Sequence, residues 1–130
     1  MPYAYSIDPV RETVFATAEG IVTDEELVRV AHQIAEDPLF NPGLRLLCDW
    51  TGVTQSRISQ ASIAYAASSL RFSPSARCAY VARHGPETQV VVYYTVYSGR
   101  MGASNICIFQ SRSEAVSWLN QGVPEARKIP

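Results

Sequence analysis

Residues 23–38 read TDEELVRVAHQIAEDP, and the fold is decided by what this stretch becomes and by what flanks it. Thr23 and Glu26 form a Thr-x-x-Glu capping box, in which the hydroxyl accepts an orphan backbone N–H at a helix start. Leu27, Val30, Ala31 and Ile34 then recur at the i, i+3, i+4, i+7 spacing. Glu25, Arg29, Gln33 and Glu36 fall on the opposite side, so the segment reads as a helix with one apolar stripe. Asp37-Pro38 ends it, because the residue before proline is pushed out of helical geometry. Asn41-Pro42-Gly43 adds a turn.

Upstream, residues 3–7 and 13–19 are rich in β-branched and aromatic side chains and are separated by Asp8-Pro9-Val10-Arg11, which has turn chemistry. Together they predict an antiparallel hairpin, with Gly20 as a bend before the helix. Downstream, residues 44–48 form a short apolar run ending at Asp49, as a strand covered on both faces would. Residues 51–56 are polar and read as loop. Residues 59–70 are mostly Ala and Ser, with Ile63, Ala67 and Leu70 at helical spacing, and predict a second helix whose small side chains allow close packing. Residues 78–82 are another apolar run, followed by a loop at Arg83-His84-Gly85.

Residues 89–97 (QVVVYYTVY) have the composition of a strand, but Pro86-Glu87 before them looks like a helical first turn. Position favours a helix, since parallel strands need a crossover of about a dozen residues, usually helical. A helix this apolar must bury two faces, one on the sheet and one on a second subunit. Residues 105–109 are the last strand. Ser111 and Glu114 form a second capping box, Ala115, Trp118 and Leu119 the stripe of a last helix, and Gly122 its terminator. The expected order is ββαβαβαβα: one α/β domain over residues 1–122, a mixed five-stranded sheet with an antiparallel first hairpin and otherwise parallel strands, and four helices packed on it. Its crossovers are expected to be right-handed. Residues 123–130 read as a flexible C-terminal tail.

The chain has 130 residues, enough for one core. Its 12 acidic and 11 basic residues leave no positive excess to hold a phosphate backbone, so nucleic acid is excluded as the expected partner. No apolar run approaches the length of about 20 residues that a bilayer requires, and the polar start lacks a signal region. Membrane insertion is therefore not expected, and a cytoplasmic protein is. Cys48, Cys78 and Cys107 form an odd set with no CxxC spacing, each inside an apolar run, and read as reduced, buried thiols with no metal role.

Three stretches carry a family resemblance: YAYSIDPVRETVFATAEGIVTDEEL at 3–27, DPLFNPGLRLLCDWTGVT at 37–54 and ICIFQSRSEAVSWL at 106–119. With the element order, they resemble the STAS-like, or anti-sigma-factor antagonist-like, domain family, and its small uncharacterised bacterial members more than the sporulation antagonists. The resemblance implies a regulatory module, because phosphorylation switches, transporter regulatory domains and sensor modules share this fold. In the switch members an Asp-Ser pair stands at the start of the helix after the third strand, and a kinase modifies the serine. The matching segment here is VTQSRISQASI at 53–63, where Arg57 and Ile58 occupy those two places. Ser59 stands one place late and Ser56 lies on the other side. Either is a candidate phosphoacceptor, and Ser59 has the alternative role of a helix N-cap.

In open α/β sheets the ligand crevice lies beyond the carboxyl ends of the strands. That rule gathers Asp49, Trp50, Thr51, Arg57, Arg83 and His84 into a candidate cleft, with Gln110 and Ser111 nearby. An acid, two arginines and a histidine there could hold an anion or exchange protons, and the alternative is a set of caps and exposed ion pairs. His32, between the apolar and charged sides of the first helix, has no second ligand one turn away and is assigned no metal. No GxSxG elbow, GxGxxG or GK[ST] loop is present, so neither a nucleophile elbow nor a familiar nucleotide cradle supports an enzyme. Tyr93, Tyr94 and Tyr97 are candidate interface residues, with core packing as the alternative. The Ala/Ser-rich second helix and the tyrosine-rich helix could also enclose an apolar pocket for a small molecule. The expectation is a non-enzymatic regulatory module without cofactor, binding a protein partner, a second copy of itself or a small ligand. The alternatives are a phosphorylation switch and a carrier of an apolar molecule.

Overall fold

The structure is a computed structural model that describes residues 3–83, 90 and 105–130. The chain opens with an antiparallel hairpin, β1 (Tyr3–Asp8) and β2 (Thr13–Thr23). Asp8 forms its turn: Oδ1 accepts the N–H groups of Val10 and Arg11 at 3.0 and 3.1 Å, and Oδ2 takes the Arg11 guanidinium at 2.7 Å. Helix α1 (Asp24–Glu36) follows at once, with Thr23 Oγ1 accepting the Glu26 N–H as the capping box predicts. Then come β3 (Arg45–Arg57), α2 (Gln60–Ser69), β4 (Cys78–Val81), β5 (Ile106–Phe109) and α3 (Arg112–Leu119). The sheet order is β1-β2-β3-β4-β5, antiparallel at β1/β2 and parallel elsewhere. The expected five-stranded mixed sheet of a single α/β domain is present.

Two expected strands differ, and one expected helix lies outside the described residues. The strand expected at 44–48 and the loop expected at 51–56 are one strand, β3, thirteen residues long. Likewise β2 does not stop at Glu19 but continues through Gly20 to Thr23, pairing with β3 as far as Arg57. Two bulges on β3 and a left-handed Gly20 (φ 68°) let this ribbon twist as it leaves the sheet. The polar Thr, Gln and Ser residues of 51–56 suit a strand that is solvated on one side, while Val53 is buried on the other. Four helices were expected and three are found among the described residues. The fourth, over 89–97, lies outside them except for Val90.

Alternation along each strand sends side chains to two layers. On one face Val14, Ala16, Leu46, Cys48, Cys78 and Tyr80 meet Val30, Ala31 and Ile34 of α1 and Ala66 of α2. On the other, Leu47, Ala79 and Val81 meet Ala115 and Leu119 of α3. Ile129 belongs to that second cluster and is 4% exposed. Residues 123–130, expected as a flexible tail, are therefore docked. Gly122 (φ 71°) turns the chain back, the Asn120 side chain bonds both the N–H and the carbonyl of Ile129 at 2.8 Å, and Arg45 bonds the Arg127 carbonyl at 2.8 Å. A buried isoleucine and satisfied backbone groups outweigh the Pro- and charge-rich composition that suggested mobility.

Candidate functional site

The face carrying α1 and α2 holds an apolar crevice. Leu27 and Ala31 of α1, Ala66 and Leu70 from α2 and its C-cap, and Cys48 and Trp50 of β3 line it, together with Tyr3, Tyr80 and Val90. The space within is about 60 Å³. An engineered cavity that takes up benzene measures about 150 Å³, so a molecule of that size enters only if a wall moves. One of its walls is α2. Its N-terminus is tied to α1 by the Ser59 N–H, which donates to Asp24 Oδ1 at 2.7 Å, and its middle by Tyr65 Oη, 2.6 Å from His32 Nε2. Both links are exposed, and such links resist separation weakly. The buried side chains that α2 itself contributes are Ile63, Ala66 and Ala67, two of them alanines.

One polar trio sits in the wall of the crevice. Trp50 Nε1 donates to Tyr3 Oη at 3.2 Å, and Tyr3 Oη lies 3.3 Å from Cys48 Sγ. Arg29 reaches across from α1 to the Tyr3 carbonyl at 2.6 Å and fixes the start of β1. Burial pushes the Cys48 thiol up to about 12, above the reach of its Tyr3 and Trp50 hydrogen bonds to offset. Cys48 is therefore a neutral packing group. Cys78 is buried, and burial also raises Cys107, so none of the three cysteines is an activated thiolate.

Of the residues expected to form a cleft beyond the strand ends, the structure brings some together and carries others away. Asp49 and Thr51 do meet, but locally: Asp49 Oδ1 accepts the Thr51 N–H at 2.9 Å and its hydroxyl at 2.7 Å. Trp50, between them, points to the opposite face and is 5% exposed. Arg57 lies eight residues farther along an extended strand, roughly 25 Å at about 3.3 Å per residue. It is exposed, beside Gln55. Arg83 is exposed just past β4, and no ion pair among the described residues joins it or Arg57 to Asp49. Gln110 is exposed after β5, and Ser111 caps α3 by accepting the Glu114 N–H. His84 and the tyrosines Tyr93, Tyr94 and Tyr97 lie outside the described residues. Among the described residues, Arg57 is separated from the rest because β3 outruns β4 by those eight residues.

Ser59 is the N-cap of α2, its Oγ accepting the Ser62 N–H at 3.2 Å, and it is exposed. Its neighbour Asp24 is held below the usual carboxylate range by the Ser59 N–H, with smaller help from the Ser62 and Ser59 hydroxyls, against a desolvation effect of opposite sign. Ser56 is half-buried near the end of β3. His32 is partly exposed, stacked on Tyr65 and 3.8 Å from Glu36. Among the described residues no three His, Cys, Asp or Glu side chains gather as a metal site would, and no helix is long and apolar enough to cross a membrane.

The crevice was legible only in part. The sequence suggested an apolar pocket between α2 and the helix expected over 89–97, which lies outside the described residues except for Val90, and neither the α1 wall nor the Tyr3–Trp50–Cys48 trio was foreseen. The signal was present: Cys48 and Trp50 alternate onto one face, and the α1 stripe must cover that face. What hid it was ending the strand at Asp49 and placing Trp50 in the cleft beyond it.

No family model matches the chain, and no curated protein matches it. Among solved structures it is similar to a protein from Shewanella loihica PV-4, described as an uncharacterized protein from the DUF3478 family with a SpoIIAA-like fold. The two share 16% identity over 90% of this chain and 93% of that one, with a TM-score of 0.55. Hairpin, parallel crossovers and helices on both faces thus make this chain an α/β domain of the SpoIIAA-like, that is STAS-like, fold.

Proposed function

We propose that the protein is a non-enzymatic regulatory module that works by binding, and that its ligand is a small apolar molecule held between α1, α2 and the sheet. The observation that carries this reading is the crevice itself: an apolar slot with one hydrogen-bonded polar trio in its wall, which is the usual composition of a small-molecule site. Of the polar residues expected to form a cleft, Arg57 is carried away from Asp49 along β3, and no described ion pair joins Asp49 to Arg83. A regulatory role is in keeping with the fold, and a homodimer and a cytoplasmic setting remain part of the proposal. Native mass spectra of the protein purified from its own host test it. The expected result is a dimer mass carrying a non-covalent adduct that Ala66→Leu, which fills the slot, removes. An adduct retained by that variant, or none in the wild type, would contradict the ligand reading.

A phosphorylation switch is the second reading, and the exposure of Ser59 at the α2 N-cap favours it. A phosphate there would face the Asp24 carboxylate and repel it, parting α2 from α1. A covalent phosphate in denaturing spectra, lost in Ser59→Ala, would support this reading over the first.

A further inference from the structure

A second pocket lies at the opposite end of the sheet, where β2 and β3 begin and the C-terminal segment docks. It is polar, about 240 Å³, and lined by Arg11, Glu12, Arg45, Gly122, Val123, Pro124 and Arg127. Three arginines and one glutamate thus border a space large enough for several waters. Arg45 is committed to backbone: it donates to the carbonyls of Leu119, Arg11 and Arg127 at 2.5, 2.9 and 2.8 Å. These include the C-terminal carbonyl end of α3, which offsets part of its charge. Burial, together with the Arg127 and Arg77 guanidiniums, pulls Arg45 below its ordinary value, and Glu12 works against that pull. Arg11 is held by Asp8 and by the Lys128 carbonyl. Arg127 is bound through its side chain to Glu12 at 3.1 Å, an ion pair with both partners about half exposed. Such a pair is weakly held. An arginine fork presents a rigid set of donors that matches oxyanions, and a better anion than Glu12 would take its place.

We propose that this pocket binds a phosphate-type oxyanion between Arg11 and Arg127, beside the positive charge of the backbone-bound Arg45, displacing the Glu12 carboxylate and fastening the docked C-terminal segment to the start of β2 and β3. The site is independent of the apolar crevice. It also sits comfortably with the overall charge of the chain, because the attraction is local to three side chains.

Calorimetric titration of the full chain with inorganic phosphate, at constant ionic strength set by chloride, tests the proposal. Saturable one-to-one binding is expected. Arg127→Gln, whose side chain serves only the Glu12 pair among the described hydrogen bonds and so leaves the docked backbone intact, should weaken it about tenfold. Glu12→Gln should do the reverse and tighten binding about threefold or more, because the competing carboxylate is gone. A purely structural cluster would show no such opposite pair of effects. No saturable binding, or binding unchanged in either variant, overturns the proposal. Phosphatidylcholine vesicles with and without phosphatidic acid then identify the source. Retention on the acidic vesicles that is lost in Arg127→Gln assigns a lipid headgroup, and binding of inorganic phosphate alone assigns a soluble phosphate.

Discussion

On one face of the sheet, α3 and the docked C-terminal segment close over Leu47, Ala79 and Val81, and Leu119 and Ala115 are 0% exposed. The α3 carboxyl end is clamped there by Arg45 on the Leu119 carbonyl and by Arg77 on the Trp118 and Gln121 carbonyls, with the Arg77 guanidinium also lying over the Trp118 ring. On the other face α1 and α2 cover the same strands but leave the crevice, and the polar links of α2 to α1, Asp24 with Ser59 and Ser62 and His32 with Tyr65, are exposed. A single set of strands thus carries one face packed for stability and one with room to respond. The difference in fastening is plain: exposed hydrogen bonds between α1 and α2 on one side, and arginine-capped carbonyls at the end of α3 on the other.

The comparison can be broken most forcefully on the closed face. Leu119→Ala should cost about 2–5 kcal/mol, because a fully buried leucine leaves a cavity that a clamped helix cannot close. Urea unfolding measures it, and a loss below 1 kcal/mol, on the order of a surface substitution, would mean the face is not packed as described. Ile129→Ala should cost about 2 kcal/mol by the same reasoning, less if the segment end adjusts. No change in midpoint would show that residues 123–130 do not contribute to the fold. The sharpest contrast comes from making one substitution on both faces. Ala115→Leu should overpack and destabilise by about 1–3 kcal/mol, whereas Ala66→Leu should cost less than about 1 kcal/mol because the crevice accepts the added carbons. Equal costs would remove the distinction.

The smallest effect is electrostatic. Asp24→Asn should lower stability by less than about 1 kcal/mol near neutrality, since the carboxylate is largely exposed. Its folded-state value lies below the ordinary one, so its contribution is fully present above about pH 4 and is lost as pH falls through the folded-state value. Wild type and variant should therefore differ at pH 7 and converge in acid. A gap that persists at the lowest pH would assign the loss to something other than the carboxylate charge.

These faces were unevenly visible in the sequence. The α1 stripe of Leu27, Val30, Ala31 and Ile34 and the two capping boxes are local signals that tertiary structure had no reason to override, and they placed α1 and α3 correctly. The run from Leu44 to Asp49 announced a strand covered on both faces, as Leu46 and Leu47 show by entering different layers. What failed was non-local. Residues 51–56 are polar, and only pairing with the β2 extension makes them a strand. Once they became one, Arg57 left the cleft and Trp50 turned to the crevice. Residues 123–130 have the composition of a tail, and their docking depends on Ile129, Asn120 and Arg45, which are distant in sequence and carry no common motif.

Fluorescence titration of an apolar probe against wild type, Ala66→Leu and Ala115→Leu tests most directly whether the face carrying α1 and α2 is the responsive one. Saturable binding is predicted for wild type and for Ala115→Leu, with at least about tenfold weaker binding for Ala66→Leu, a difference of roughly 1.4 kcal/mol. Binding that is equal in all three proteins, or lost in Ala115→Leu instead, would contradict the account.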